Sequence, residues 1–496
     1  MPNITIPKNL TIDDLIKEIR SYAKRDELDV VRLAYGFADE AHRGQMRRSG
    51  EPYISHPLAT AYILAKMKIE VSIVIAALLH DVPEDTQVTL EEIEKNFGKD
   101  IASMVRGITK LGKLKYRGVE RYIENLRKMF MSMAEDIRVM LIKFADRTHN
   151  LMTLEAQPTN KKYRIAIESL EIYAPIAIRM GMDEFKGQLE DLSFPFIYPK
   201  EYEKTKIIRD KVIIDEEKYL KDVMEKTRSE LKKANIKFYD VHGREKQIYS
   251  LYQKLCRKGW DSENIYDIVA LRIIVPDIGD CYAALGVLHR LWKPLKGRIK
   301  DYIAQPKPNG YRSLHTTVFA DEGKTVEFQI RTQEMHDEAE YGIAAHWHYD
   351  ERGARLPSKE VEWAKELARM QKDILNNLSD LEEMKVDFFR NRIFVFTPQG
   401  DVIDLPEDAT PIDFAYHIHT QVGDKCNGAR VNDHLVSLDT PLKSGDVIEI
   451  ITDKNRKGPS QDWLKMAKTH TAKMHIKNTL NANKKTWLEA ILPRKK

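Results

Sequence analysis

Apolar residues recur every three or four positions from about residue 11 to residue 198, as in Ile137, Val139, Met140, Leu141 and Phe144. That period predicts helices that bury one face, so the first domain, residues 1–198, reads as all-helical. The apolar run 71–79 is too short to cross a bilayer and reads as a buried helix, with Pro83 expected to close it. Residues 201–233 form a charged amphipathic helix or helix pair, the core of a connector over 199–237. The pattern then changes. Strand-like runs over 265–275, 316–320 and 325–331 alternate with helical segments over 281–291 and 334–349, which predicts an α+β domain around a mixed sheet over 238–356. A second charged helix, 358–385, reads as a linker within 357–391. A compact β-rich module follows over 392–452, opening with a hairpin whose turn is Pro398-Gln399-Gly400-Asp401. Residues 453–496 are basic and partly helical.

Composition narrows the class. The 496 residues are 42% hydrophobic and 31% charged, with a net charge of +4. This suits a soluble multidomain protein and gives no general case for nucleic-acid binding, so any anion site must come from local clusters. Three scattered cysteines, Cys256, Cys281 and Cys426, form no CxxC pair. That argues against a disulfide framework or a zinc knuckle. The N-terminal stretch carries acids early and lacks the basic-then-apolar order of a signal peptide. A cytoplasmic location is expected.

Two constellations carry chemistry. In the first, His80 and Asp81 end the apolar run, and Ser55-His56-Pro57 and Phe144-Ala145-Asp146-Arg147 offer a second imidazole and a second carboxylate. Two nitrogens and two oxygens suit a borderline-to-hard divalent ion such as manganese. The bland alternative for the His-Asp pair alone is a polar helix end. His42, Gln45 and Arg47 precede the site, Glu84 and Asp85 follow Asp81, and Asn150 and Thr153 follow Asp146.

These segments, HRGQMRRSGEPYISHP (42–57), AALLHDVPEDT (76–86) and KFADRTHNLMTL (143–154), resemble the HD-type phosphohydrolases, and more narrowly the hydrolase domain of the RelA/SpoT homologue family. The resemblance implies manganese held by His56, His80, Asp81 and Asp146. It also implies that Arg47 contacts substrate phosphates, that Glu84 and Asp85 help activate water, and that Asn150 and Thr153 line the nucleotide pocket. Pro83 departs from the family, where an aliphatic residue is usual.

In the second constellation, Asp267 and Glu327 fall on separate predicted strands. Alternation places Glu327, Gln329 and Arg331 on one face and Val326, Phe328 and Ile330 on the other. Paired carboxylates on neighbouring strands can hold magnesium against phosphates. Arg244, Lys246, Lys254, Arg298, Lys300 and Lys307 surround them in sequence, and Tyr311 and His315 follow a Pro/Asn/Gly turn. Each taken singly reads as solvated surface; together they read as a triphosphate site.

The stretches at 243–254, 266–275, 289–318 and 326–347 resemble the family's nucleotidyltransferase-like synthetase domain. The resemblance implies transfer of pyrophosphate from ATP to the 3′-hydroxyl of GDP or GTP. Asp267 and Glu327 would bind magnesium, and Glu327 would also orient or deprotonate the hydroxyl. Arg244 would stack on adenine, Lys246 and Lys254 would meet ATP phosphates, and Tyr311 would stack on guanine. Lys307, Asn309, His315 and Gln329 would complete the acceptor pocket. Arg298-Ile299-Lys300-Asp301 has the charge pattern of bifunctional members.

Residues 392–452 resemble a TGS domain, a β-grasp module that in longer relatives meets the 3′ end of uncharged tRNA on the ribosome. His419 stands at that contact position. PSQDWLKMAKT (459–469) resembles the start of the following helical region, and the zinc-finger-like and ACT modules of long members are not in this sequence. The expectation is therefore a short-form bifunctional (p)ppGpp synthetase/hydrolase whose two sites are coupled through the connector. Two alternatives stand beside it. One is a hydrolase-dominant enzyme with weak synthesis. The other is a tRNA- or ribosome-binding regulator using the lysine-rich stretch 465–485.

Overall fold

The computed structural model describes residues 5–112, 135–260, 269–307, 310–321, 324–342, 392–399, 402–443, 445–456, 458–469 and 471–480. They fall into two compact units, within 1–369 and within 370–496. The expected linker helix over 358–385, Asp267 and Asn309 lie outside the described residues.

The first unit opens with helices only. They are α1 (Ile12–Ile19), α2 (Arg25–Ala41), α3 (Ser55–Lys66), α4 (Val71–Leu79), α5 (Val82–Asp85), α6 (Leu90–Phe97), α7 (Lys99–Gly112) and α8 (Arg138–Met152). Then come α9 (Thr159–Glu168), α10 (Ala174–Arg179) and α11 (Asp183–Ile197). Helix α4 is buried at every position but Ser72, which is why its sequence shows no amphipathic period: it runs through the middle, against α2, α3 and α7. Pro83 bounds this helix as expected, having no N–H to return to the Leu79 carbonyl four residues earlier. α4 ends at Leu79, and Pro83 lies in the first turn of the short α5, where a missing N–H costs nothing. The break leaves His80 and Asp81 between two helices.

α12 (Pro199–Lys233) is one continuous helix of 35 residues. It differs from the connector expected. Tyr219, Val223, Thr227 and Leu231 recur every fourth position and are all buried, and three of them belong to the core of the sheet domain. Nearer its start, Ile208 and Val212 pack on Leu251 and Leu255 of α13 (Ile248–Arg257). The helix is thus a structural layer of the second half.

That half is a mixed sheet in the order β1-β2-β6-β5-β3, with β4 also paired to β5. The strands are β1 (Asp240–Glu245), β2 (Val269–Val275), β3 (Lys293–Pro294), β4 (Lys300–Asp301), β5 (Leu314–Phe319) and β6 (Thr325–Thr332). Only β2 and β6 run parallel. Period-two alternation sorts the residues. Leu271, Ile273, Val326, Phe328 and Ile330 face α12 and α14 (Ile278–Leu291) in the core. Arg272, Glu327, Gln329 and Arg331 point to the other face, partly covered by α15 (Gln333–Tyr341).

The second unit contains the expected hairpin, β7 (Arg392–Phe396) with β8 (Val402–Pro406), and a three-stranded sheet of β9 (Cys426–Val431), β10 (His434–Val436) and β11 (Ile448–Thr452). A parallel bridge joins Phe396 to Val447. Helix α16 (Pro411–Ile418) carries Asp413, whose buried carboxylate accepts hydrogen bonds from Thr410 and from the backbone N–H groups of Lys468 and Thr469. That carboxylate ties the tail segment to the module. No helix among the described residues is long and apolar enough to cross a membrane.

Candidate active sites

Three helices build the first site. His56 comes from the first turn of α3, His80 and Asp81 from the break after α4, and Asp146 from the middle of α8. Ligand atoms of His56, His80 and Asp146 all lie within 4.8 Å of one another, and all three residues are buried. His56 Nε2 is 3.2 Å from Asp146 Oδ1 and 3.6 Å from Asp81 Oδ2, while His80 Nε2 is 3.1 Å from Asp81 Oδ1. The four residues expected to share an ion are therefore brought together.

Their environment suits a cation. His80 Nδ1 sits 2.7 Å from the Ala77 carbonyl and must donate to it. Its buried Nε2 meets Asp81 Oδ1 at 3.1 Å without good hydrogen-bond geometry, a contact that a bound ion would improve. Burial disfavours charge on His80, but the Asp81 carboxylate overrides this and lifts its pKa to about 9; a divalent ion would take that proton's place. Burial also works against the Asp146 carboxylate, yet Lys143, 2.7 Å away, and His56 hold it well below the usual range. Nitrogen and oxygen donors without thiolate fit a borderline-to-hard divalent metal.

Around this centre Arg47 reaches His149 Nδ1 at 3.0 Å, Asn150 Oδ1 at 3.2 Å and Thr153 Oγ1 at 3.4 Å. The Tyr53 hydroxyl lies 3.0 Å from Asp81 Oδ2 and 2.6 Å from Asp85 Oδ2, and Gln45 donates to the Asp85 carbonyl. Glu84 reaches solvent, but desolvation, with Asp81 and Asp85 adding to it, pushes its pKa up to about 7 against the pull of Lys143. Lys143, Tyr53 and His149 are part of the site that sequence reasoning missed. His149 lies three residues after Asp146 on α8, so the helical period carried a signal for it; Tyr53 lies in the turn before α3, where that period does not apply.

The second site lies on the polar face of the sheet. Glu327 on β6 is in register with Ala270 of β2 and Thr317 of β5. A continuous polar relay crosses the strands. The Tyr311 hydroxyl is 2.8 Å from His315 Nε2, His315 Nδ1 is 3.4 Å from Glu327 Oε1, Gln329 donates to Glu327 at 3.2 Å, and Arg244 donates to Gln329 at 3.2 Å. Lys307 Nζ stands 4.8 Å from the ring centres of both Tyr302 and Tyr311; burial lowers its pKa. Lys254 lies on α13 and Lys246 just before it. Arg298 and Lys300 are exposed, in and just after the turn that leads into β4. Arg312 pairs with Glu338 of α15 at 2.8 Å.

The two sites share a seam. Asp191 of α11 accepts the backbone N–H groups of Ile248 and Tyr249, at 3.3 and 2.9 Å, and so caps α13. Asp183, at the start of α11, is near enough to Lys307 and Arg244 to feel their charge, although burial pushes its carboxyl up. In the second unit, His419 is exposed, and its Nδ1 accepts the Gln421 N–H at 3.1 Å.

Three family models match the chain: an HD domain over 34–183, a region found in RelA / SpoT proteins over 243–354, and a TGS domain over 393–452. Escherichia coli K12 has a relative named bifunctional (p)ppGpp synthase/hydrolase SpoT. It is 43% identical over 472 residues, with 94% of this chain and 67% of that one aligned. This chain belongs to the RelA/SpoT family. Another RelA/SpoT relative, a guanosine-3′,5′-bis(diphosphate) 3′-pyrophosphohydrolase from Aquifex aeolicus, is 46% identical over 94% of this chain and 66% of its own. A GTP pyrophosphokinase from Myxococcus xanthus is 45% identical over 92% of this chain and 61% of its own. The chain thus spans just under two thirds of the length of these last two RelA/SpoT relatives.

Proposed function

We propose that the chain makes and degrades (p)ppGpp at two separate sites. It would transfer pyrophosphate from ATP to the 3′-hydroxyl of GDP or GTP, and hydrolyse (p)ppGpp to GDP or GTP and pyrophosphate. The observation that carries this reading is the presence, in one compact unit, of a buried His56–His80–Asp146 cluster and a distinct Glu327 relay flanked by Arg244 and Lys307. The working division is a hydrolase domain over 1–198, a helical connector over 199–237, a synthetase domain over 238–356, a helical linker over 357–391, a TGS domain over 392–452 and the start of a helical region over 453–496.

For hydrolysis, His56, His80, Asp81 and Asp146 would hold manganese, which would lower the pKa of the attacking water and shield the pyrophosphate. Arg47, Asn150 and Thr153 would hold the nucleotide. Glu84, poised near neutrality, would accept the water's proton as the 3′-oxygen leaves from phosphorus, with Asp85 and Tyr53 orienting it. For synthesis, Glu327 with Asp267 would hold magnesium against the ATP phosphates. Glu327 would also take the proton of the 3′-hydroxyl as it attacks the β-phosphorus and AMP departs. Arg244 would stack on adenine, and Lys246, Lys254, Arg298 and Lys300 would meet phosphates. Tyr311, His315, Lys307, Asn309 and Gln329 would receive the guanine nucleotide. His419 is the candidate tRNA contact of the TGS module, and a cytoplasmic location fits these substrates.

A hydrolase-dominant balance has one observation in its favour: Asp183 of the helical half, though burial raises its pKa, interacts electrostatically with Lys307 and Arg244, two of the cations that an incoming phosphate would need. Chromatography of nucleotide products tests both readings. ATP and GDP with Mg²⁺ should give ppGpp and AMP, and added Mn²⁺ should drive loss of ppGpp. If neither product forms, the two-site reading fails; loss of ppGpp without any synthesis selects the hydrolase-dominant one.

A further inference from the structure

We infer that His149 is a positioning residue for the cation site: it accepts the Nδ1–H of His56 and so turns the His56 Nε2 lone pair toward Asp146 and the ion. The inference rests on the proposed cation site. Its basis is proton bookkeeping. Arg47 Nη1 lies 3.0 Å from His149 Nδ1. A guanidinium can only donate, so His149 Nδ1 must be an acceptor. His56 Nδ1 lies 2.7 Å from that same nitrogen. Two lone pairs do not face each other at that distance, so the hydrogen is on His56 Nδ1. An imidazole that ligates a cation is neutral and keeps one N–H; with that N–H on Nδ1, the ligating nitrogen is Nε2, 3.2 Å from Asp146 Oδ1. A lone pair facing carboxylate oxygens is repelled unless a cation lies between them.

The opposite tautomer would let His56 donate from Nε2 to Asp146 and close the site on itself. His149 removes that option. His80 reaches the same end by a different route, donating from Nδ1 to the Ala77 carbonyl. A metal-ligating histidine commonly donates its other N–H to a carboxylate or carbonyl; here a second histidine takes that place, made an acceptor by Arg47. The two rings meet edge to edge and nearly coplanar, with centroids 5.0 Å apart and planes 27° from parallel, so the contact also fixes the plane of the His56 ring.

The test is Mn²⁺ binding by the full chain, followed by the electron paramagnetic resonance of free Mn²⁺. His56→Ala serves as the control for the cation site: if it leaves binding unchanged, the cation reading fails and this inference falls with it. Given that control, His149→Leu, which removes the acceptor, is expected to weaken binding by roughly 10- to 100-fold. His149→Asn places an amide oxygen where Nδ1 stood and should bind close to wild type. Equal loss in both variants, or wild-type binding by His149→Leu, overturns the role. A ¹⁵N–¹H spectrum of the histidine-labelled, metal-free wild type needs no variant to fold. With His56 identified by its loss in His56→Ala, the ring proton should be on Nδ1; a proton on Nε2 overturns the inference.

Discussion

Gly342 and Met180 meet backbone to backbone. A Cβ at Gly342 would lie 2.3 Å from the Met180 carbonyl oxygen and 2.5 Å from the Gly181 carbonyl carbon. Gly342 ends α15 of the sheet half at φ +56°, and Met180 ends α10 of the helical half. The close approach admits only glycine, on both steric and backbone grounds. A few residues along, Gln247 fills the space a side chain at Gly187 would need, and Asp191 caps α13. The seam between the proposed hydrolase and synthetase is therefore α11 and the turn before it.

Gly342→Val should force that seam open. The expected result is a loss of roughly 1–3 kcal/mol of stability, as for other overpacked contacts, and weaker crosstalk between the sites. Crosstalk is measured as the change in ppGpp hydrolysis when a non-hydrolysable ATP analogue and GDP are added. An unchanged response would show that signalling does not pass through this contact.

Asp191→Ala removes the cap of α13, the helix that carries Lys254. Loss of a cap typically costs about 1 kcal/mol, and the effect on function should fall on synthesis, as a higher KM for ATP. Thermal melting and ATP titration check the two parts separately.

Glu84 gives the hydrolase a pH signature. A base must be deprotonated to work, and burial has moved this one up to about 7. Hydrolysis should therefore fall as pH drops below neutrality, to an extent that bound metal lessens. Glu84→Gln should reduce the rate by roughly 10²–10⁴-fold and flatten that limb of the pH–rate profile. The stability sign is opposite. A raised carboxyl pKa means that the folded, metal-free chain holds the proton more tightly than the unfolded one. That contribution is present at acid pH and is lost as pH rises through about 7. Melting the metal-free Gln variant should show a flatter pH dependence over that range.

Asp183→Asn removes a buried carboxyl group that interacts electrostatically with Lys307 and Arg244. If that carboxylate competes with phosphate for the same cations, synthesis should rise several-fold, chiefly through KM, with hydrolysis unchanged. The steady-state constants for ATP and GDP decide it.

Much of this was legible in the sequence because each site is written in short local signals. His80-Asp81 after an apolar run, and Glu327 within a strand of strict alternation, required only helix and strand periods to be placed. What was missed depends on long-range packing. The contacts of His149 with His56 and Arg47 span 93 and 102 residues. The pattern marked α12 as amphipathic, but what covers its apolar stripe is set by long-range packing on the sheet domain, so a layer of that domain read as a connector. Asp191 looked like one more acid on a helix; its role as a cap depends on α13, nearly sixty residues away.

The central claim, two independent centres in one chain, is tested most directly by assaying both reactions in Asp146→Asn and Glu327→Gln. Asp146→Asn should lose hydrolysis by on the order of 10³-fold, as expected when several kcal/mol of metal-assisted stabilisation is removed, and keep synthesis. Glu327→Gln should show the reverse. If either substitution abolishes both reactions in a folded chain, or if neither reaction is lost, the two-centre account is contradicted.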